Sequence, residues 1–514
     1  MNKVLITTAI DYINSRPHLG HAYEKVGADV AARYQKLLGK EPFLLIGADE
    51  HSLNIYKNAR EQGLEPQKFC DDIVEYFYEL YKLLHIDYSR YIRTTDLDHE
   101  KVVQTVVDRL WERGYIRKGT YAGHYCESCE AFIEENELTN GRCQYHPTKT
   151  VTWVEEENYF FSLSHFQEPL LRLYHENPDF LQPDTWRNEI LNRLRQGLQD
   201  ISISRSSMKW GIPFPKKPED VVYVWFDALL NYLTGAGFLL NEPLFSKTWP
   251  PKLQIVGKDI TWFHGVIWPA ILLALEIPLP EQIFAHGHVL HKGQKLSKSS
   301  GIVIDPVQLI EIFGVERLRY YLMKALPWGQ DGNFSYEGIV TTCNNDLAND
   351  YGNLISRATA MINKYYNGLI PEPIEDQVID KELKETANGC VRKYRQAMER
   401  QEYPGALESV LELVRKANKY IETTAPWDLA KQEETQSQLA TVLYQLVEVI
   451  RITTFLLEPF IPSVRLKVWD QLGLDITYTE TLERLEWGYQ YRDIRINRGE
   501  PLFPRLDLNI ILDK

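Results

Sequence analysis

Two short motifs, His18-Leu19-Gly20-His21 and Lys295-Leu296-Ser297-Lys298-Ser299, stand far apart on an alternating strand–helix pattern and constrain the fold more than any other feature. The first follows a strand-like run over residues 4–10 and precedes a helical pattern over residues 22–38. A strand feeding a helix aims the positive helix end and its unpaired N–H groups at an anion. Gly20 would let a base or ribose approach the backbone without a Cβ clash. His18 and His21 can donate hydrogen bonds to phosphate oxygens, and Lys295 and Lys298 are point charges on long stems that can follow a moving pyrophosphate. Taken singly, the histidines also read as an incidental helix start and the lysines as a solvated basic loop. In this order and on this pattern, they read as the two ends of one nucleotide-binding fold.

The pattern itself predicts the organisation. Residues 1–115 alternate strand (4–10), helix (22–38), strand (42–47) and a long helical region after Asp71, a βαβ reading. Parallel sheets of this kind bind ligands past the carboxyl ends of their strands, where His18 and Asp49 fall. Residues 116–220 break the alternation with three clustered cysteines, an acidic run at Glu155-Glu156-Glu157 and the proline-rich stretch 211–215, so they read as an insertion. Strands are expected again over 221–226, 253–256 and 283–285, carrying Trp225, Gly257-Lys258-Asp259 and His286-Gly287 and completing the fold over residues 221–330. Residues 331–514 turn helical: Leu439, Val442, Leu443, Leu446, Val447 and Ile450 lie on one helical face, and 347–366 and 382–401 also read as helices. A length of 514 residues fits two to four domains.

No stretch approaches 18 uninterrupted apolar residues, and the first residues enter a strand without a signal-peptide design, so the expected location is cytoplasmic with no membrane partner. The net charge of −14 argues, as a total, against a nucleic-acid partner, although an acidic protein can carry a local basic track. Of the six cysteines, Cys70, Cys343 and Cys390 are scattered. Cys126-x₂-Cys129 followed by Cys143-x₂-His146 supplies three thiolates and an imidazole, a donor set for one closed, structural tetrahedral Zn²⁺. The alternative is three buried thiols without metal.

The two motifs resemble the signatures of class I aminoacyl-tRNA synthetases. The runs Val222-Tyr223-Val224-Trp225-Phe226-Asp227-Ala228-Leu229 and Gly257-Lys258-Asp259-Ile260, with the Cys-x₂-Cys pair, resemble the methionyl branch over residues 3–470, nearly the whole chain. The resemblance implies an α/β fold: a Rossmann-type parallel-sheet catalytic domain with a zinc-knuckle insertion, followed by an all-α helical-bundle anticodon-binding domain. It implies one zinc knuckle where some relatives carry two. It also implies activation of L-methionine by ATP, with Mg²⁺, to methionyl-adenylate and pyrophosphate, and transfer to the 3′ end of tRNA(Met), initiator and elongator. No protein nucleophile is needed, so catalysis would come from positioning and charge neutralisation.

Carried over residue by residue, His18, His21, Lys295 and Lys298 match the phosphate-handling groups. Glu24, Asp259 and Lys298 match ATP-binding positions. Asp49 matches the carboxylate that receives the substrate ammonium, and Arg205 an arginine that pairs with it. The side-chain pocket would be Ile10, Tyr12, Trp225, Ala228, Leu229, Tyr232, Phe263 and His264, whose aromatic walls suit a thioether. Asp11, Ser52 and Leu229 depart from residues frequent in relatives, which bears on pocket geometry. Asn353 and Arg357, one helical turn apart, and Trp427 resemble readers of the CAU anticodon, through base-edge hydrogen bonds and stacking. The alternative is that Asn353 is a cap and Trp427 is core. Two other functions compete. A class I synthetase for leucine, isoleucine or valine needs a large editing insertion, and one for cysteine holds its zinc in the substrate pocket. A catalytically silent tRNA-binding relative would lack His18, His21 or Lys298. Relatives that dimerise often add a C-terminal OB-type domain, so a monomer is expected.

Overall fold

The computed structural model of the chain describes residues 3–126, 131–133, 138–139, 141–143, 150–206, 208–295, 304–475, 481–497 and 499–509. They form two compact units, one of Met1–Pro17, Pro42–Tyr81 and Asp87–His286, the other of His18–Glu41, Lys82–Ile86 and Gly287–Lys514.

The first unit is built on a seven-stranded parallel sheet. Its order is Leu181–Gln182, Ile283–His286, Leu253–Gly257, Val4–Thr8, Pro42–Asp49 and Asp11–Tyr12, with Arg90–Arg93 also paired to Pro42–Asp49. The central strands are buried along nearly their whole length, on both faces, which is why they read as continuous apolar runs rather than alternating ones. Leu5, Leu45, Ile92, Phe226, Leu233 and Trp268 belong to one hydrophobic core against this sheet.

The insertion contains a separate antiparallel sheet, ordered Ile201–Ser202, Thr152–Phe161, Ile116–Cys126 and Ala131–Ile133. The expected strand over 221–226 is corrected here. Lys217–Val222 pairs antiparallel with Ser204–Arg205 and Pro213–Phe214, outside the parallel sheet, and Val224–Leu229 is a helix. Trp225 therefore sits on a helix, not on a strand. The β-branched and aromatic run over 221–226 suits a strand by propensity, but burial of Val224, Phe226 and Asp227 against the core decides otherwise.

In the second unit, the helix Leu19–Leu37 lies with the later helices. Asp29 at its centre pairs with Arg319 at 2.7 Å, both fully buried. Arg319 also donates to the carbonyls of Leu84, Pro459 and Phe460, so one guanidinium joins four chain segments. Gly27 admits the Trp328 ring, which a Cβ would meet at 2.0 Å. The helices Asn353–Tyr366, Val378–Glu399, Tyr403–Thr424 and Gln436–Leu457 form the rest of the bundle. The stretch Glu433–Leu457 is long and apolar enough to cross a membrane by length and composition, but its apolar part, Leu439–Leu457, is buried inside the protein.

Candidate active site

In the first unit, a cavity of about 230 Å³ opens past the carboxyl ends of two central strands. Ala9, Ile10, Tyr12 and Asp49 line it from the strand ends, Val224, Trp225, Ala228 and Leu229 from the helix Val224–Leu229, Asn231 and Tyr232 from the helix that follows, and Ile260 and His264 from the segment after Leu253–Gly257. Of the side chains expected at a methionine pocket, all but Phe263 and Arg205 line this cavity. Phe263 stacks face to face on Trp225, with centroids 3.9 Å apart. Arg205 is buried, donates to the carbonyls of Ser202 and Ser204, and lies over the Tyr223 ring at 4.0 Å.

Polarity inside the cavity is confined to a few fixed groups. His264 sits on a π-helical turn, Phe263–Ile267, and its Nδ1 lies 3.0 Å from the Ile260 carbonyl. A carbonyl only accepts, so Nδ1 carries the proton, and in the neutral ring Nε2 accepts from the Tyr232 hydroxyl at 2.7 Å. The Tyr12 hydroxyl accepts from Asn54 at 3.1 Å. Asp49 ends the strand Pro42–Asp49 and Ser52 caps the next helix, its Oγ accepting from Ile55 N–H at 3.1 Å. Serine is a strong cap, so Ser52 suits this position. Asp11, the other polar departure, is buried and accepts from the Tyr81 hydroxyl.

Asp259 is exposed just past the strand Leu253–Gly257, as a ribose-binding carboxylate would need to be. Its Oδ1 folds back over Gly257, where a Cβ would meet it at 2.8 Å.

In the second unit, the first motif opens the helix Leu19–Leu37 as a reciprocal cap. Gly20 N–H donates to His18 Nδ1 and His18 N–H donates to His21 Nδ1, each at 3.0 Å. Leu19 N–H donates to the Ile304 carbonyl and His21 N–H to that of His18. The expectation of unpaired helix-end amides aimed at phosphate is therefore corrected. The first-turn amides are engaged, and the space above Gly20, expected to admit a base or ribose, holds the His18 ring, 2.8 Å from where a Cβ would be. What remains is imidazole chemistry. With both Nδ1 atoms accepting, the neutral rings carry their protons on Nε2. Desolvation, with His18 and Lys25 alongside, holds His21 well below its ordinary value, so it is neutral at physiological pH. The rings lie 4.0 Å apart. Glu24 is buried and pairs with Lys25 at 2.5 Å.

Lys295 ends a short strand paired with Val289–His291. Lys298 lies outside the described residues. So do Cys129 and His146, whereas Cys126 and Cys143 are buried in one small cluster with Leu138 and Val151 beside them. Among the described residues, no group of three metal-ligating side chains comes together.

Asn353 and Arg357 occupy successive turns of the helix Asn353–Tyr366, facing Asn418 (3.4 Å) and Glu422 (3.6 Å) of the helix Tyr403–Thr424. Asn353 continues a helical path from Cys343–Gly352, so it is not a cap. Trp427 is 42% exposed and is not core.

Several buried polar groups beside the cavity were not anticipated. Arg93 clasps Glu50 through two hydrogen bonds (2.5 and 3.1 Å) and also reaches Asp71 at 2.6 Å. Burial keeps Glu50 above the ordinary carboxylate range despite Arg93 and Thr95. Asp227 accepts from His51 Nδ1 at 2.8 Å and from His99 Nε2 at 2.7 Å. Burial alone would raise the Asp227 pKa, but the two imidazoles outweigh it and hold the carboxyl below the ordinary range. The only local signal for these groups was a run of three ionisable residues, Asp49-Glu50-His51, at a strand end.

Comparison with known proteins converges on one family. The profile described as tRNA synthetases class I (M) matches residues 4–149 and 133–359, and that of the anticodon binding domain of methionyl tRNA ligase matches residues 370–490. A methionine–tRNA ligase of Caldanaerobacter subterraneus subsp. tengcongensis is 44% identical over 98% of this chain and 79% of its own length. One from Nostoc sp. is 42% identical over 98% of this chain and 97% of its own. The structure of Mycobacterium tuberculosis methionyl-tRNA synthetase in complex with methionyl-adenylate superposes with a TM-score of 0.94 at 39% identity, covering 98% of this chain and all of that one.

Proposed function

Because this chain belongs to the methionyl branch of the class I tRNA synthetases, we propose roles for its residues in that family's reaction. The reaction activates L-methionine with ATP to methionyl-adenylate and pyrophosphate, then transfers methionine to the 3′ end of tRNA(Met).

The cavity carries the proposal. Its aromatic and aliphatic walls, Trp225, Tyr232, Ile10, Ala228 and Leu229, would hold the thioether side chain, with Phe263 backing Trp225. Asp49, at its strand end, would receive the ammonium, with Arg205 supporting that carboxylate. The Tyr232–His264 pair would face the sulfur. Tyr232 commits its proton to His264 Nε2, so neither group offers a strong donor that a bare thioether could not satisfy. Tyr12 would close the remaining side.

His18 and His21 would donate from Nε2 to the triphosphate, with Lys295 and Lys298 neutralising the departing pyrophosphate. Asp259 would take the ribose hydroxyls and Glu24 would act near the adenosine. Mg²⁺ would accompany ATP. Asn353, Arg357 and Trp427 would read the anticodon of tRNA(Met), with the exposure of Trp427 supporting a stacking role. One structural Zn²⁺ would be held by Cys126, Cys129, Cys143 and His146. The joint burial of Cys126 and Cys143 fits that donor set. The chain would act as a cytoplasmic monomer without a membrane partner.

Two measurements test these roles. Lys298→Ala should depress methionine-dependent pyrophosphate exchange on the order of 100-fold and leave methionine binding nearly intact, as expected for charge acting on the transition state. An unchanged exchange rate removes this lysine from the chemistry. Elemental analysis of the purified protein should find about one zinc per chain, as the closed four-ligand set predicts, and Cys129→Ser should lose most of it. A zinc-free wild type would refute the metal assignment.

A further inference from the structure

The carboxylate of Asp227 is fully buried, and each of its oxygens is taken by a different buried imidazole, His51 at Oδ2 and His99 at Oδ1. His99 continues through Nδ1 to the Thr234 hydroxyl at 3.0 Å. Four pieces of chain meet here, His99 coming from the helix Leu97–Glu112. His51 stands two residues past Asp49, in the turn that delivers that carboxylate to the cavity. Asp227 stands between Trp225 and Ala228 on the helix that walls the cavity. Thr234 is on the next short helix, with the cavity residue Tyr232.

A buried ionic cluster is a poor way to gain stability, because apolar residues of similar size usually do as well or better. What it supplies is direction. Each hydrogen bond fixes an angle and a distance that apolar packing leaves free, and a binding site must be held to about 0.5 Å.

We propose that Asp227, clamped by His51 and His99, is a positioning residue for methionine: it sets the Asp49 carboxylate in register with the aromatic wall across the cavity. This inference rests on the reading of Asp49 as the receiver of the substrate ammonium. The clamp touches no substrate atom. It acts through the turn and the helix that do.

The test measures pyrophosphate exchange with methionine and ATP varied separately, together with thermal unfolding. Asp227→Asn and His51→Leu should raise KM for methionine roughly 10- to 100-fold, the scale of a misplacement of about 1 Å, with KM for ATP within about threefold of wild type. His51→Asn keeps an N–H donor near the Nδ1 position, so it should restore methionine KM to within about threefold of wild type. A clamp with only a structural role predicts otherwise: both His51 variants lower the melting temperature and move the two KM values together, which overturns the proposal. Unchanged methionine KM in Asp227→Asn overturns it as well. Should Asp227→Asn fail to fold, the His51 pair decides. Asp49→Asn separates the premise from the inference. If it leaves methionine KM unchanged, the reading of Asp49 falls and the clamp proposal with it. If it raises methionine KM while the clamp variants do not, only the clamp falls.

Discussion

His21 illustrates how much a single residue can be asked to do. Its Nδ1 accepts from the helix-end backbone and closes the cap, which leaves Nε2–H as its donor. A protonated ring would have no Nδ1 lone pair, so the cap and the charge exclude each other. The folded pKa is lowered, so the unfolded chain binds the proton more readily, and the stability associated with neutral His21 is present above about pH 6.5 and lost as pH falls below it. His21→Ala should therefore cost about 1 kcal/mol at pH 7.5, the value of a cap, and progressively less toward pH 5.5, as the wild type alone loses ground. Urea unfolding at the two pH values reads this out, and a difference that grows on acidification would contradict it. Exchange should also fall on the order of 100-fold with loss of one transition-state donor. The motif was legible in the sequence, but the way it works was not. Residues 18–21 spell a nucleotide signature whether the contacts come from backbone or imidazole, and only the geometry shows that the amides are taken.

At the scale of elements, the strands over 4–8, 42–49, 253–257 and 283–286 were readable because burial on both faces leaves an apolar run with little ambiguity. The stretch 221–226 reads as a strand because its β-branched residues meet a propensity rule, whereas the strand stops at Val222 and Tyr223 caps a helix. The cavity residues were legible through resemblance, whereas the Asp227 clamp was not. Its partners lie 176 and 128 residues away, at separations that carry no periodic signal. Trp427 tests the bundle's role. It lies on the short helix Pro426–Leu429 and is substantially exposed, so Trp427→Ala should leave the melting temperature nearly unchanged. Loss of one stacked base costs about 1–3 kcal/mol, so KM for tRNA should rise roughly ten- to hundredfold, while exchange, which involves no tRNA, stays constant. Loss of exchange and stability together would refute the anticodon role.

At the largest scale, the residue that ties the second unit together is Arg319. It serves Asp29 in the first helix of the second unit, Leu84, and the turn at Pro459 and Phe460, with no exposure to water. Arg319→Ala leaves Asp29 still paired with Arg33 and takes the guanidinium away from three buried carbonyls. The expected loss is about 3–5 kcal/mol, measurable by urea unfolding, and a loss under about 1 kcal/mol would mean that the site relaxes around the deletion. The same connectivity sets a timetable for biosynthesis. Residues 18–41 leave the ribosome early, yet Gly27 receives the Tyr403 hydroxyl, 376 residues downstream. At roughly 5–20 residues per second, the helix bearing both histidines waits about 20–75 s for that partner to be made. Throughout that interval its apolar face has only a chaperone or its own nascent neighbours to cover it.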